Sequence, residues 1–434
     1  MIEEKNNFNN NKKAWVVAVD MGYGHQRTAY PLRDLAFDGR IINANNYEGI
    51  TFKDREFWQE TRALYEYISR FRRIPFVGDK IFLIFDSFQK ILGYYPKRDL
   101  SKSNLGGKSI FSLIKIGWGR DLIEKLKQNP LPLVTTFFTV AFMAEHFDYP
   151  NDIYCVICDA DIARVWVSQD PKKSRIKYFA SNTWTRDRLG LYGVKPENII
   201  LTGYPLPKEN LGSENLEILK KDLSYRILNL DPHGKYRKLY SPLIKSYLGE
   251  LPNLPNHPLT IMFSIGGAGA QKEIALGIVD SLKEKIRARE LRIIISIGTK
   301  EKLRKYFVKN IKDLELDGWV NIISGKTTKE YFEKFNQTLR TTDVLWTKPS
   351  ELSFYVALGI PIIIAPPLGS QEDFNKKWLL HIGAATPQEN PKYTDQWFYD
   401  MLNAGEFAEL AMQGFVETEK LGTYNIEKII QKQP

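Results

Sequence analysis

Short, nearly continuous apolar runs punctuate this 434-residue chain, and most are followed by a stretch with helix-like spacing. In the first half the runs are WVVAV (15–19), RIINA (40–44), LVTTF (133–137), YCVIC (154–158), VWVS (165–168) and NIILTG (198–203). In the second half they are LTIMFSIG (259–266), LRIIISIG (291–298), VNIISG (320–325), DVLWT (343–347) and PIIIAPP (361–367). Apolar runs without polar alternation predict parallel strands covered by helices on both faces. Their repetition predicts an α/β chain of two doubly wound, Rossmann-like domains facing a cleft.

The expected boundaries follow from breaks in that rhythm. A first domain spans 1–205 and carries a helical, aromatic and basic insertion at about 54–125. A linker is expected over 206–258, where LGELPNLPNHPLT gathers prolines and asparagines before a fresh strand. A second domain follows over 259–395. Helices at 396–434 are expected to pack back on the first domain.

Composition narrows the partners. Hydrophobic residues make up 43% and charged residues 26%, which suits a packed core. The formal net charge of +10 favours anionic partners. The basic residues are spread along the chain and no nucleic-acid motif gathers them, so nucleic acid is not expected. The segment before Ala14 is polar, and no apolar run approaches the ~20 residues of a spanning helix. A cytoplasmic protein is expected. Within 54–95, Trp58, Leu64, Tyr65, Ile68 and Phe71 recur at helical spacing, with Arg62, Arg70, Arg72 and Arg73 beside them. Such a stripe suits a membrane interface, or equally a helical cover whose arginines snorkel. Cys155 and Cys158 have CxxC spacing, but three residues apart on a strand puts them on opposite faces, which favours a structural role.

Three segments carry candidate chemistry. In MGYGH, Gly22 and Gly24 permit a tight turn and close backbone approach at a strand end. His25 then stands beside a helix N-terminus, where a neutral imidazole can take a proton. The alternative is a capping loop with an incidental histidine. In FSIGGAGAQKEIA, Gly266, Gly267 and Gly269 form a nest suited to phosphate, without the Lys-Ser/Thr ending of a nucleotide hydrolase. In the third, Lys348 follows a strand and suits a diphosphate. Gln371, Glu372 and Asn375 suit sugar hydroxyls, or a cap on the next helix.

The order of these segments resembles the glycosyltransferase B superfamily. The similarity is greatest to the branch of monogalactosyldiacylglycerol synthases, processive diacylglycerol glucosyltransferases and the peptidoglycan N-acetylglucosaminyltransferase. The resemblance rests on MGYGH, on CVICDADIARVWVS, on GVKPENIILTGYP (193–205) and on TKPSELSFYVALGIPIIIAPPLGSQEDFNKKWLLHIGAA (347–385). Matches recur in order over about 14–385. The resemblance implies a transferase that moves a sugar from a nucleotide-diphosphate sugar, a UDP-sugar, by direct displacement with neither metal nor cofactor. It implies a membrane lipid as acceptor and peripheral attachment to an anionic membrane surface. It places His25 as base or acceptor-positioning residue, with Gly22, Gly24 and Asp159 on the acceptor side. The donor side would hold Gly266, Gly267, Gly269, Lys348, Ser350, Glu351, Gln371, Glu372 and Asn375.

The chain also departs from that pattern. Phe354 stands where the family carries the glutamate that holds the ribose hydroxyls, with Glu351 one helical turn before it. Ser350 and Glu351 replace a Gly-Gly pair, Ser370 replaces a glycine, and Tyr23 stands where glycine is common. These changes keep a second reading open, a non-catalytic sugar-nucleotide or glycolipid binding protein on the same fold. Sugar-nucleotide 2-epimerases share the fold, but their acidic and histidine clusters are not evident here.

Overall fold

The computed structural model describes residues 13–59, 91–266, 269, 271–367 and 370–432. Gly267 and most of the stripe expected at 54–95, including Leu64, Tyr65, Ile68, Phe71 and its four arginines, lie outside the described residues. Trp58 is described, and packs edge-on against Trp118 with ring centroids 4.8 Å apart.

Two six-stranded sheets organise the chain, as its apolar runs predict. The first holds β1 (Ala14–Ala18), β2 (Ala36–Asn43), β3 (Leu133–Thr135), β4 (Ile153–Val156), β5 (Lys177–Ala180) and β6 (Ile199–Leu201), in the order β2-β1-β3-β4-β5-β6. The second holds β7 (Thr260–Ser264), β8 (Arg292–Ser296), β9 (Val320–Ile323), β10 (Val344–Thr347), β11 (Ile362–Ile364) and β12 (Ala385–Pro387), in the order β12-β11-β10-β7-β8-β9. Every pairing is parallel. Strand β7, TIMFS, is buried at all five positions, because helices cover both faces of its sheet. These are two doubly wound, Rossmann-like domains.

Two details differ from the sequence reading. Residues 165–168 are not a strand. Arg164–Trp166 form a 3-10 turn, because the buried Arg164 guanidinium donates to the carbonyls of Ser101, Val167 and Ser168 and curls the chain around itself. Strands β5 and β12 had no apolar run to announce them. The segment 206–258 is largely helical. Its helix Glu217–Leu230 lies on the second domain, where Arg226 donates to the carbonyls of Thr342, Leu358 and Leu339 at 2.7, 2.9 and 3.2 Å.

The last helix, Gly422–Gln431, returns to the first sheet. Ile426 and Ile430 join the buried cluster of Ala14, Val16 and Phe179. Asn425 donates to the Thr202 carbonyl at 2.9 Å and Thr423 to that of Leu206 at 2.6 Å.

Strand order places the functional crevices. In an open parallel sheet, ligands bind beyond the carboxyl ends of the strands where the order reverses. The first sheet reverses between β1 and β3, and the second between β7 and β10. The MGYGH loop leaves β1, the glycine loop leaves β7, and Lys348 leaves β10.

Candidate functional site

At the first reversal the chain leaves β1 through Gly22, whose φ of +112° is open to glycine and strained for other residues. The helix Tyr23–Ala29 begins there and contains both Gly24 and His25. Gly24 provides clearance rather than the turn itself: a Cβ on it would meet Glu351 Oε2 at 3.4 Å. His25 Nδ1 lies 2.7 Å from the carbonyl oxygen of Thr136, the residue after β3. The Thr136 hydroxyl in turn donates to the His25 carbonyl at 3.0 Å. Cys158 Sγ lies 3.6 Å from the same Nδ1, and the Phe137 ring closes the side at 4.9 Å. Burial pushes His25 down to about 4, against the opposing effects of the Thr136 carbonyl and Glu351, so the imidazole is neutral at neutral pH. Both cysteines are buried and free, and burial raises both thiols.

Asp159 follows β4 beside this loop. Burial lifts its carboxyl to about 6; Asn375 and Lys348 oppose the rise, and Glu351 and Glu372 add to it.

At the second reversal, Gly266 and Gly269 form a turn in which the Gly269 amide donates to the Gly266 carbonyl at 2.9 Å. Lys348 folds across Gly266 so closely that a Cβ there would come 2.7 Å from Lys348 Cε. Its ammonium donates to Glu372. Ser350 precedes the 3-10 segment Glu351–Leu358, and Gln371 and Glu372 lie in the first turn of the helix Ser370–His381.

Asn375 is placed differently from the expected sugar-reading role. It is 1% exposed. Its Oδ1 accepts the Ala160 amide at 2.7 Å, while Nδ2 donates to Asp159 Oδ1 at 3.2 Å and the Pro349 carbonyl at 3.3 Å. It fastens the second domain to the first.

Other contacts join the two reversals. Arg27, two residues after His25, donates to Glu351 Oε1 at 3.2 Å and lies over Phe335, with the ring centroid at 4.3 Å. Glu351 is therefore engaged from the first domain. Tyr23 spans the cleft, its hydroxyl accepting the Thr299 amide at 2.8 Å. It fits because Gly298 has no Cβ, which would lie 2.2 Å from that oxygen. Phe354 is fully buried and stacks on Tyr204 with ring centroids 4.6 Å apart, so it faces the domain junction. Sequence reasoning noted Tyr23 only as a departure from glycine, and gave Arg27 and Thr136 no role; the place of Thr136 near the end of the LVTTF run was the available signal.

A cavity of 770 Å³, lined by residues including His381, Thr386, Glu406, Glu409 and Gln413, holds none of the candidate residues. It lies at the far end of the helix Ser370–His381, and strand topology is the better guide to the site.

Similarity to known proteins runs along the chain. A processive diacylglycerol beta-glucosyltransferase of Bacillus pumilus is 21% identical over 393 residues, covering 87% of this chain and 83% of that protein. The enzyme of the same description from Bacillus subtilis is 19% identical over 387 residues, covering 87% and 84%. The chain is distantly similar to these glucosyltransferases. Among solved structures, MurG of Acinetobacter baumannii aligns over 97% of this chain and 100% of its own, with 14% identity and a TM-score of 0.48. Residues 253–338 match a family described as Domain of unknown function (DUF6938). That segment runs from just before β7 through the helix Thr328–Leu339, so it spans the glycine loop of the second reversal. Among the described residues, no helix is long and apolar enough to cross a membrane.

Proposed function

We propose that this chain transfers a sugar from a nucleotide-diphosphate sugar, a UDP-sugar, to an acceptor hydroxyl in the cleft between its domains. One observation carries the reading. The neutral, half-buried His25 and the Gly266–Lys348 loops stand at the reversals of two sheets, and Arg27–Glu351 joins them directly.

The acceptor oxygen attacks the anomeric carbon while its proton passes to His25. The bond from that carbon to the diphosphate oxygen breaks, and its electron pair leaves with the diphosphate. The Gly266 amide of the loop, together with Lys348, meets the developing charge, which is commonly the largest catalytic contribution. Displacement of this kind asks nothing of a metal.

A membrane lipid is the acceptor we favour, with the chain resting peripherally on the cytoplasmic face of an anionic membrane. Both relatives described above are named for diacylglycerol. The first domain also exposes Phe52 (75%), Leu105 (68%) and Ile116 (60%) near Lys53, Lys115 and Arg120. Lys53, Lys115, Ile116 and Arg120 line one 450 Å³ hollow.

One feature favours the alternative of a non-catalytic sugar-nucleotide or glycolipid binding protein. Phe354 brings no carboxylate to the ribose, and Glu351 is held by Arg27. The test is incubation of purified chain with radiolabelled nucleotide sugars and lipid vesicles. Labelled glycolipid from one donor supports transfer. Donor binding with no labelled product across the panel supports the binding protein.

A further inference from the structure

We infer that Thr136 is a positioning residue for His25, which sets the proton on Nδ1 and leaves Nε2 as the only ring atom able to accept one. The inference rests on the proposed transfer for its kinetic arm and on geometry alone for its structural arm.

A backbone carbonyl oxygen has lone pairs and no proton to give. The 2.7 Å contact between it and His25 Nδ1 therefore requires a proton on that nitrogen. In a neutral imidazole the second nitrogen is then unprotonated. Cys158 Sγ, 3.6 Å away, faces the same edge, and its sulfur is a second, weaker acceptor there. Both neighbours thus crowd Nδ1.

Thr136 also holds the helix that carries the ring. Its hydroxyl donates to the His25 carbonyl at 3.0 Å, and its own amide donates to the Val17 carbonyl at 3.1 Å. The residue is fully buried at the reversal between β1 and β3. One residue therefore fixes the rotation of the ring and the position of the backbone beneath it, with β1 as reference. Displacement of a reacting group by about 1 Å can cost about 100-fold in rate, so such a hold has catalytic consequence.

Two measurements test this. Nitrogen NMR of the whole chain labelled at histidine nitrogens, with the His25 signal assigned by its loss in His25→Asn, reads the tautomer without any substrate. The expected result at pH 7 is a neutral ring protonated at Nδ1. A ring protonated at Nε2, or a doubly protonated one, overturns the inference whether or not the chain transfers sugar. The second measurement compares Thr136→Val with Thr136→Ser in the transfer assay. Val should lower kcat by about tenfold with KM for the donor little changed, and Ser should restore it. Equal kcat in Val and wild type overturns the positioning role. If Val fails to fold, a Ser variant that loses kcat as strongly as Val was expected to also overturns it. A wild type inactive on every donor defeats the transfer proposal and leaves the NMR result standing.

Discussion

At the reversal of the first sheet, the histidine ring is already held. Its Nδ1 faces the Thr136 carbonyl and Cys158, and its helix is pinned by the Thr136 hydroxyl. At the reversal of the second sheet, Lys348 lies over Gly266 with its ammonium on Glu372, a partner of the same charge sign as a phosphate. The two crevices share a topology, a glycine turn and a following helix. They differ in what their side chains hold. In the proposed transfer the first holds the base, and its bonds need not change when a ligand arrives. The second keeps its cation neutralised by an anion that a diphosphate would compete with. A base gains from rigidity, whereas a leaving-group site must accept charge and then release it.

The comparison can be broken at several points. The largest effect is expected for His25→Ala, which should lower transfer by about 10²–10⁴-fold while the melting profile is preserved. A wild-type rate would leave His25 as a purely structural residue.

Arg27→Ala should come next, acting on stability. It leaves Glu351 at the domain junction without its cation, and breaking a buried pair costs about 3–5 kcal/mol. Denaturant unfolding should show that loss, and Glu351→Gln in the same background should recover part of it. An Arg27→Ala chain as stable as wild type would mean that the reversals are not joined through this pair.

Lys348→Ala should weaken nucleotide-diphosphate binding by about 10- to 100-fold, the scale of a charged hydrogen bond. Glu372→Gln should act in the opposite sense and tighten binding of the nucleotide diphosphate by severalfold, because it releases the lysine. Calorimetric titration reads both. Weaker binding in Glu372→Gln would show that the acid serves the ligand rather than competing with it.

The smallest effect concerns pH, where the two carboxyl-end groups of the first domain oppose each other. His25 binds its proton near pH 4 when folded and near 6.5 when unfolded, so its contribution to stability is lost as pH falls from about 6.5 to 4. Asp159 is raised instead, from 3.8 to about 6, so its contribution is lost as pH rises across that window. Asp159→Asn removes only the second, and its thermal stability should climb more steeply than wild type between pH 4 and 6. Parallel curves would show that Asp159 does not titrate there. The transfer rate itself should keep its acid limb near pH 4 rather than near 6.5.

Most of the scaffold is legible from apolar runs alone, because parallel strands buried on both faces cannot afford polar alternation. Strand β5, KYFA, escapes because it opens on a lysine, and β12, ATP, because three mixed residues make no run. Residues 165–168 mislead because burial of VWVS comes from wrapping around Arg164, not from a ladder. The candidate site is legible where chemistry sits at a strand end, as for His25, Gly266 and Lys348. It is not legible where the partner is remote in the chain. Asn375 meets Ala160 across 215 residues and Arg27 meets Glu351 across 324, and no local pattern announces either. The buried Phe354 is a case in between. Its departure from the family is visible in sequence, but its stacking on Tyr204 is not.

The central claim is that the two reversals form one site, with the donor on the second domain and the base on the first. The most direct measurement is a crystal structure with an intact nucleotide-diphosphate sugar bound. The account predicts the diphosphate on the Gly266–Gly269 turn, with Lys348 moved from Glu372 to a phosphate oxygen. The anomeric carbon should face His25 Nε2 with room for one hydroxyl between them. A diphosphate seated elsewhere, or an anomeric carbon turned away from His25, would contradict it.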